Sequence, residues 1–254
     1  MVTITFDSNV WEKIVDEAKR SENTVYQSIF DQIKDGNIEP FFFEGLAVIE
    51  SISKKDRKDF FGNFKASISF QVDNEEPHVT EGSSAPGVTD YLRETIPKAL
   101  KLGFRFIHTP RIGAPSLNIP DQYKAPDNKY SLSDRLNRTF ECLRFIKSLG
   151  AGKAKLHGRL DGDGERGIVN QTKQDESLSK KQYAKDIGEW VDGDALAAHY
   201  GFGIDYFCTN DQAKGAGAAS VFHSDNLRKL SNKYDIKVIS PSDLLEILKK
   251  KADA

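Results

Sequence analysis

Cysteine is scarce in this sequence, and two further kinds of signal are missing from it. Only Cys142 and Cys208 occur, so no disulfide framework is implied and a reducing cytoplasm is the expected location. No apolar run approaches the ~20 residues that a membrane helix needs. The chain also does not open with a basic stretch followed by a signal-type apolar stretch. We therefore expect a cytoplasmic protein with no membrane partner.

An excess of charge of one sign is also missing. Lysine and arginine number 36, aspartate and glutamate 38, and the formal net charge is −2. The charge of the whole molecule therefore does not indicate a nucleic-acid-binding protein, and a local basic patch or metal ions would have to hold any polyanion. What is present is 254 residues with 38% hydrophobic and 29% charged side chains, a composition typical of a globular protein with one large or two modest domains.

Short apolar segments alternate with amphipathic segments at both ends of the chain. The apolar segments predict strands, and the amphipathic segments predict helices. Because apolar strands separated by helices favour a parallel sheet covered on both faces, we predict a three-layer α/β/α fold with a largely parallel central sheet. The predicted strands are 2–6, 38–43, 204–208 and 237–240, and the predicted helices are 9–20, 24–34, 44–52, 180–190, 194–200 and 224–234.

The middle of the chain has a different pattern. Residues 64–72 alternate apolar and polar side chains, which predicts a half-exposed strand. Residues 74–87 are typical of a loop, and residues 131–149 predict a helix that begins with a capping box. Its predicted buried stripe is Leu136, Phe140, Leu143 and Ile146.

These patterns predict how the chain is organised. We interpret residues 1–60 and 180–254 as one core and residues 61–179 as a central insertion or elaboration that enlarges it. Within the insertion, residues 104–108 predict a strand that is a candidate to join the core sheet.

Polar residues follow two of the predicted buried strands. Strand 2–6 runs into Asp7, and strand 204–208 is followed by Thr209, Asn210 and Asp211. In open α/β sheets, functional groups collect just beyond the carboxyl ends of the strands. We therefore expect these two chain segments to meet at one edge of the sheet.

Two further acids are candidates to converge on the same point. Glu50 lies two turns into predicted helix 44–52, and Asp194 begins predicted helix 194–200, whereas Asp192 is expected to point elsewhere. Several carboxylates in one cleft repel one another unless a cation lies between them. Mg²⁺ and Mn²⁺ prefer oxygen ligands, and two such ions ~3.5–4 Å apart can activate water and stabilise the leaving oxygen in phosphodiester hydrolysis. An oxygen-only set argues against zinc.

Four segments resemble the PIN-domain nuclease family: ITFDSN (4–9), FFFEGLAVIES (41–51), DALAAHYGFGIDYFCTND (194–211) and KVISPSDLLEIL (237–248). The resemblance covers residues 1–52 and about 180–254. It implies a PIN-like core and a ribonuclease that hydrolyses phosphodiester bonds in RNA with Mg²⁺ or Mn²⁺. The implied catalytic and metal-binding acids are Asp7, Glu50, Asp194 and Asp211, with Asn9, Thr209 and Asn210 in support and with Glu44 and Asp192 as further acids behind them.

Other readings of these residues stay open. Singly, each acid has a structural explanation, for example Asp7 as a helix cap. His199 is expected to pack rather than to act. The alternating Lys153, Lys155 and Arg159 could track phosphates on an extended segment, or could belong to a solvated loop.

Two functions of other classes also stay open. One is a non-catalytic PIN-like binding or scaffold module. The other is a small-molecule phosphohydrolase of α/β fold that uses Asp7 as its nucleophile. RNA is the expected partner, and a homodimer and a protein inhibitor or antitoxin are left open as further partners.

Overall fold

The computed structural model describes residues 1–45, 52, 56, 68–73, 76–81, 89–109, 117–127, 129–152, 180–213 and 217–252. Four residues named above, Glu50, Lys153, Lys155 and Arg159, lie outside the described residues, as does most of predicted helix 44–52. In the described part of the chain, no helix has the length and apolar character that crossing a membrane requires.

The strands and helices follow the alternating order that the sequence predicts. The strands are β1 (Val2–Phe6), β2 (Ile38–Phe43), β3 (Ile68–Asp73), β4 (Glu76–Glu81), β5 (Arg105–Ile107), β6 (Leu117–Asn118), β7 (Tyr206–Cys208) and β8 (Val238–Ile239). The helices are α1 (Ser8–Val15), α2 (Glu17–Ser21), α3 (Thr24–Lys34), α4 (Asp90–Lys101), α5 (Leu132–Ser148), α6 (Lys180–Phe202), α7 (Ser224–Tyr234) and α8 (Pro241–Ala252).

Five of these strands form one parallel sheet in the order β5-β2-β1-β7-β8. The chain moves outward from β1 to β2 and β5, and then returns to the other side of β1 for β7 and β8. The strand order therefore reverses between β1 and β7, which is the doubly wound arrangement. The strand predicted at 104–108 does join this sheet, as β5 beside β2.

Helices cover both faces of the sheet, which confirms the predicted three-layer α/β/α fold. Side chains alternate along a strand, so Phe42 packs on one face while Phe41 and Phe43 pack on the other. Phe42 lies 5.6 Å from Trp11 of α1 between ring centroids. The apolar cores place α1, α3, α4 and α8 on the Phe42 face and α5, α6 and α7 on the opposite face.

A second, smaller sheet has the order β4-β3-β6, with β3 and β4 antiparallel. The strand predicted at 64–72 is confirmed from Ile68 onward, and residues 64–67 lie outside the described residues. The prediction of a loop over 74–87 is wrong for Glu76–Glu81, because these residues pair with β3.

Helix α6 corrects the prediction of two helices at 180–190 and 194–200, because it runs without a break from Lys180 to Phe202. Gly193 does not end the helix. A Cβ at this position would lie 3.1 Å from the Cα of Gly152, so the glycine allows the two backbones to approach closely. Asp194 is therefore an interior residue of a helix and does not begin one.

The buried face of helix α5 agrees with the predicted stripe at Ile146 and is otherwise shifted around the helix. The buried residues of α5 are Arg135, Thr139, Cys142 and Ile146, whereas Phe140 is 40% exposed. Polar Arg135 and Thr139 face inward because α5 packs closely on α6. Gly201 lies against this part of α5, and a Cβ there would overlap Thr139 Oγ1 and lie 3.1 Å from the Arg135 carbonyl oxygen.

The α5–α6 contact predicts opposite effects for two alanine substitutions in one helix. We expect Gly201→Ala to lower the free energy of unfolding by about 1–3 kcal/mol, since the added methyl overpacks the contact with Thr139. Gly188→Ala is the matched control, because its Cβ would meet nothing within 4 Å. We expect the control to stabilise the protein by about 0.5–1 kcal/mol through helix propensity. Urea unfolding measures both, and equal effects would contradict this account of the packing.

Candidate functional site

Asp7 lies at the carboxyl end of β1, where the strand order reverses. Its backbone NH donates to the Cys208 carbonyl oxygen at 3.0 Å, which extends the β1–β7 pairing by one residue. The side chain caps α1 by accepting a 2.7 Å hydrogen bond from the Ser8 backbone NH at Oδ1. The structural explanation of Asp7 as a helix cap is thus confirmed, but capping occupies only one of its oxygens.

The other oxygen of Asp7 ties the end of β1 to the segment that follows β7. Oδ2 accepts hydrogen bonds from Thr209 Oγ1 at 2.5 Å and from Asn9 Nδ2 at 2.6 Å. Thr209 Oγ1 also accepts from the Asp211 backbone NH at 2.9 Å. The Asn210 backbone NH donates to Asn9 Oδ1 at 2.9 Å. The structure therefore brings Asp7, Asn9, Thr209 and Asn210 into one network.

The charge of Asp7 is costly in this position. The pKa of Asp7 is raised, first because burial disfavours the ionised form and also because the Asp211 carboxylate repels it. The hydrogen bonds from Thr209 and Ser8 act in the opposite direction. Asp211 is exposed, and its Oδ1 accepts from the Ala213 backbone NH at 2.6 Å. A cation between the two carboxylates would relieve their repulsion.

A small cavity of about 20 Å³ opens beside Asp7, large enough for one water-sized group. Its lining includes Asp7 and Ser8 from the end of β1, and Val191, Asp192 and Ala195 from α6. Asp192, which we expected to point elsewhere, is thus among the residues that line this cavity, and its role stays a prediction.

Asp194 is buried in the interior of α6 and does not line this cavity. Each residue turns a helix by about 100°, so Asp192 and Asp194 differ by about 200° around the helix axis and cannot both face the cavity.

Glu44 lies at the carboxyl end of β2, on the same edge of the sheet. It is buried, its backbone NH donates to the Ile107 carbonyl oxygen at 3.0 Å, and its Oε1 accepts from the Thr109 backbone NH at 3.3 Å. These bonds fasten the ends of β2 and β5 together. The predicted role of Glu44 as an acid behind the metal ligands stays a prediction.

His199 packs inside the protein, as predicted. Its ring lies edge-on to Phe207 at 5.6 Å, and its Nδ1 is 2.9 Å from Thr5 Oγ1. Burial lowers the pKa of His199 to about 3, so the ring is neutral at physiological pH.

The carboxylates at this edge are oxygen donors, the type of ligand that hard divalent cations prefer. Among the described residues, no three His, Cys, Asp or Glu side chains form a group that could hold a metal ion by themselves. Mg²⁺ is usually bound through one or two carboxylates, with water and substrate phosphates completing the octahedron. Asp7 and Asp211 supply oxygen ligands of that kind, and the predicted fourth acid, Glu50, lies outside the described residues.

Three residues of this edge were not singled out from the sequence. Ser8 donates its backbone NH to Asp7 Oδ1, and Tyr26 accepts hydrogen bonds at its hydroxyl from Asn210 Nδ2 at 3.2 Å and from Lys13 Nζ at 3.4 Å. Lys13 follows Asn9 by four residues, so the helical period places both on one face of α1. That spacing is the only sequence signal that could have placed Lys13 near the site, and nothing local indicated Tyr26.

Fold and site together define a doubly wound α/β protein with acidic and amide side chains at its topological switch point. A scan against protein-family models finds no match for this chain, and a search of curated proteins finds no significant match either.

The network predicts opposite pKa changes for two substitutions near Asp7. Thr209→Val removes a hydrogen bond that lowers the pKa of Asp7, so we expect the pKa to rise further. Asp211→Asn removes a repulsion, so we expect it to fall. Carboxyl ¹³C NMR titration in EDTA measures both, with Asp205→Asn at the other end of β7 as control. Shifts in the same direction, or a shift in the control, would contradict the assigned causes.

Proposed function

We propose that this protein is a metal-dependent ribonuclease of the PIN-like type, with Mg²⁺ or Mn²⁺ at the carboxyl edge of β1 and β7. The observation that supports the proposal most directly is the Asp7 network. The half-buried Asp7 carboxylate, whose pKa is raised, accepts hydrogen bonds from Asn9 and Thr209, and Thr209 Oγ1 in turn accepts from the backbone NH of the exposed Asp211. Perturbed carboxylates in such a position are typical of functional sites.

Each residue has a defined part in the proposed reaction. Asp7 and Asp211 would hold the cation, which would polarise the scissile phosphate and lower the pKa of the attacking water. Thr209 and Asn9 hold the Asp7 carboxylate in one orientation, as outer partners of metal ligands do. Asn210 fixes Asn9 through its backbone NH, and so keeps the two chain segments in register. In this proposal, Glu50 orients the attacking water or adds a ligand.

The Asp7 carboxylate at the switch point also argues against a dinucleotide ligand. Dinucleotide-binding sheets place a glycine-rich turn after the first strand, where backbone NH groups approach the pyrophosphate. Here the first turn carries Asp7, Ser8 and Asn9, and the Asp7 carboxylate would repel a pyrophosphate that lacked a bridging cation.

RNA cleavage with Mn²⁺ tests the proposal. We expect Asp7→Asn and Asp211→Asn each to lower the cleavage rate by about 100-fold or more, since even loss of an outer partner of a metal ligand costs ~10–100-fold. Thr209→Val should fall within that smaller range. Asp35→Asn, an exposed residue at the end of α3, is the matched control. EDTA should abolish cleavage by the unmodified protein.

Outcomes of the same experiment separate the other two functions. Retained cleavage in both Asp7→Asn and Asp211→Asn would end the assignment of a nuclease site at this edge. Binding of RNA with no turnover under any metal condition would favour a scaffold module. A phosphate trapped covalently on Asp7, with the RNA left intact, would favour a phosphohydrolase.

Asp192 and Asp194 can be compared directly as the acid that α6 contributes to the proposed metal site. Because Asp192 lines the cavity beside Asp7 while Asp194 lies about 200° away around the helix, we expect Asp192→Asn to weaken Mn²⁺ binding more than Asp194→Asn does. Calorimetric titration of Mn²⁺ measures the two dissociation constants without any need for turnover. The reverse order would restore Asp194 as the acid that α6 contributes.

A further inference from the structure

A large open groove lies at the end of the sheet opposite the candidate metal centre. Its volume is about 790 Å³, within the usual range of ligand sites. It is formed by Gly203 just after α6, by the segments that enter β7 and β8, and by Lys129 and Tyr130 before α5. None of the proposed metal ligands or their hydrogen-bond partners lines it.

The groove is rich in positive charge although the whole chain carries a formal net charge of −2. Five cationic side chains and two carboxylates line it among the described residues. They are Lys129, Arg138, Lys233, Lys237 and Lys251, with Asp205 and Asp235. A local basic surface of this kind is what a protein of nearly neutral charge needs in order to hold a polyanion.

Neutral groups hold three of these cations. Lys129 Nζ donates to the Gly203 carbonyl oxygen at 2.5 Å, and Arg138 Nη2 donates to the Tyr200 carbonyl oxygen at 2.9 Å. Lys233 Nζ lies 4.3 Å from the centre of the Phe145 ring. Within the part of the chain that the structure describes, none of the three forms an ion pair with a carboxylate, so their charges are available to an incoming anion.

The two carboxylates of the groove, by contrast, have partners of their own. Asp205 Oδ2 accepts from the backbone NH and hydroxyl of Thr3 at 3.0 and 2.8 Å. Asp235 forms an ion pair with Lys237 at 3.2 Å. Neither carboxylate forms an ion pair with Lys129, Arg138 or Lys233 among the described residues, although the nearby charge of Lys129 helps to lower the pKa of Asp205.

Aromatic side chains add a second kind of recognition. The Arg138 guanidinium lies over the rings of Tyr130 and Tyr200, at 4.1 and 3.9 Å from the ring centres. Gly203, with φ +67°, lets Tyr130 and Lys129 lie against the end of α6, where a Cβ would clash with the Tyr130 ring at 2.5 Å. Guanidinium planes and tyrosine rings are surfaces on which unpaired bases stack, while nearby cations contact the phosphates.

We propose that this groove binds a single-stranded segment of RNA, at a site separate from the metal centre. The inference deepens the proposed function and rests on it for the choice of RNA. Asp205 at the entrance of β7 and Thr209 at its exit are four residues apart, or ~13 Å at the rise of a strand. An RNA segment bound in the groove would therefore need only a few more nucleotides to reach the edge of the sheet that carries Asp7.

Binding in EDTA tests the groove without the metal centre. We expect the double variant Lys129→Gln/Lys233→Gln of the full chain to bind a fluorescein-labelled oligouridylate of about 12 nucleotides ~10-fold more weakly than the unmodified protein. Two lost phosphate contacts should also reduce the slope of log K against log salt by ~1.4. The amide that Lys129→Gln introduces keeps a donor for the Gly203 carbonyl oxygen, so the fold should persist, which circular dichroism checks.

The matched control is Lys34→Gln/Lys98→Gln, which removes two exposed lysines of α3 and α4 on the opposite face of the sheet. Equal affinity and salt slope for the two double variants would overturn the proposal, as would failure of the unmodified protein to bind the oligonucleotide. If uridine monophosphate at equal phosphate concentration displaced the labelled oligouridylate, the groove would be a site for small anions and not for RNA. Lysine-dependent binding of polyglutamate without oligouridylate binding would assign it to an acidic protein.

Failure of this inference differs from failure of the proposed function. If the protein cleaves RNA but the groove variant binds like its control, only the groove assignment is lost. If the unmodified protein binds through the groove lysines but cleaves nothing with Mn²⁺, the groove assignment stands and the nuclease proposal is lost.

Discussion

The hydrogen bond from Thr209 Oγ1 to Asp7 Oδ2 joins residues 202 positions apart, and the carboxyl edge of the sheet is built around it. It exists because β1 lies between β2 and β7, with all three parallel, so that the ends of β1 and β7 reach the same edge. Asn9 and Asn210 continue the connection on the α1 side through the Asn210 NH. The cavity that α6 lines lies at the same edge, next to Asp7.

The partial burial of Asp7 sets the chemistry of the junction. Its Oδ1 accepts from the Ser8 NH at 2.7 Å and has a longer contact with Ser8 Oγ at 3.4 Å, and its Oδ2 accepts from Asn9 and Thr209. These donors offset part of the desolvation cost without removing it, because the pKa of Asp7 stays raised. The ionised form therefore costs folding free energy at any pH above the folded-state pKa of Asp7. Binding of a cation would return some of that free energy.

The protein separates charge between the two edges of its main sheet. Carboxylates lie beyond the ends of β1 and β7, and a cluster of cations lies before β7 and β8. The net charge of −2 is a sum over 36 basic and 38 acidic residues, so it reveals neither group. The parallel arrangement makes this separation possible, since every strand enters at one edge and leaves at the other. A polyanion would be attracted to one edge, and a divalent cation to the other.

Local sequence patterns were enough to predict the alternation of strands and helices, the polar ends of β1 and β7, and the cap at Asp7, because these depend on apolar periodicity and on hydrogen bonds between close neighbours. The continuity of α6 through Gly193 became visible in the folded protein alone, since its reason is the close approach of Gly152. The tertiary structure also decided that Arg135 and Thr139 face inward where Phe140 does not, and that Asp192 lies beside Asp7. The groove that contains Lys129, Arg138 and Lys233 was equally hidden, because its lining comes from separate parts of the chain: 129–138, 199–206, 231–237 and Lys251. Such features depend on contacts between residues that are far apart in the sequence, and local sequence patterns do not predict those contacts.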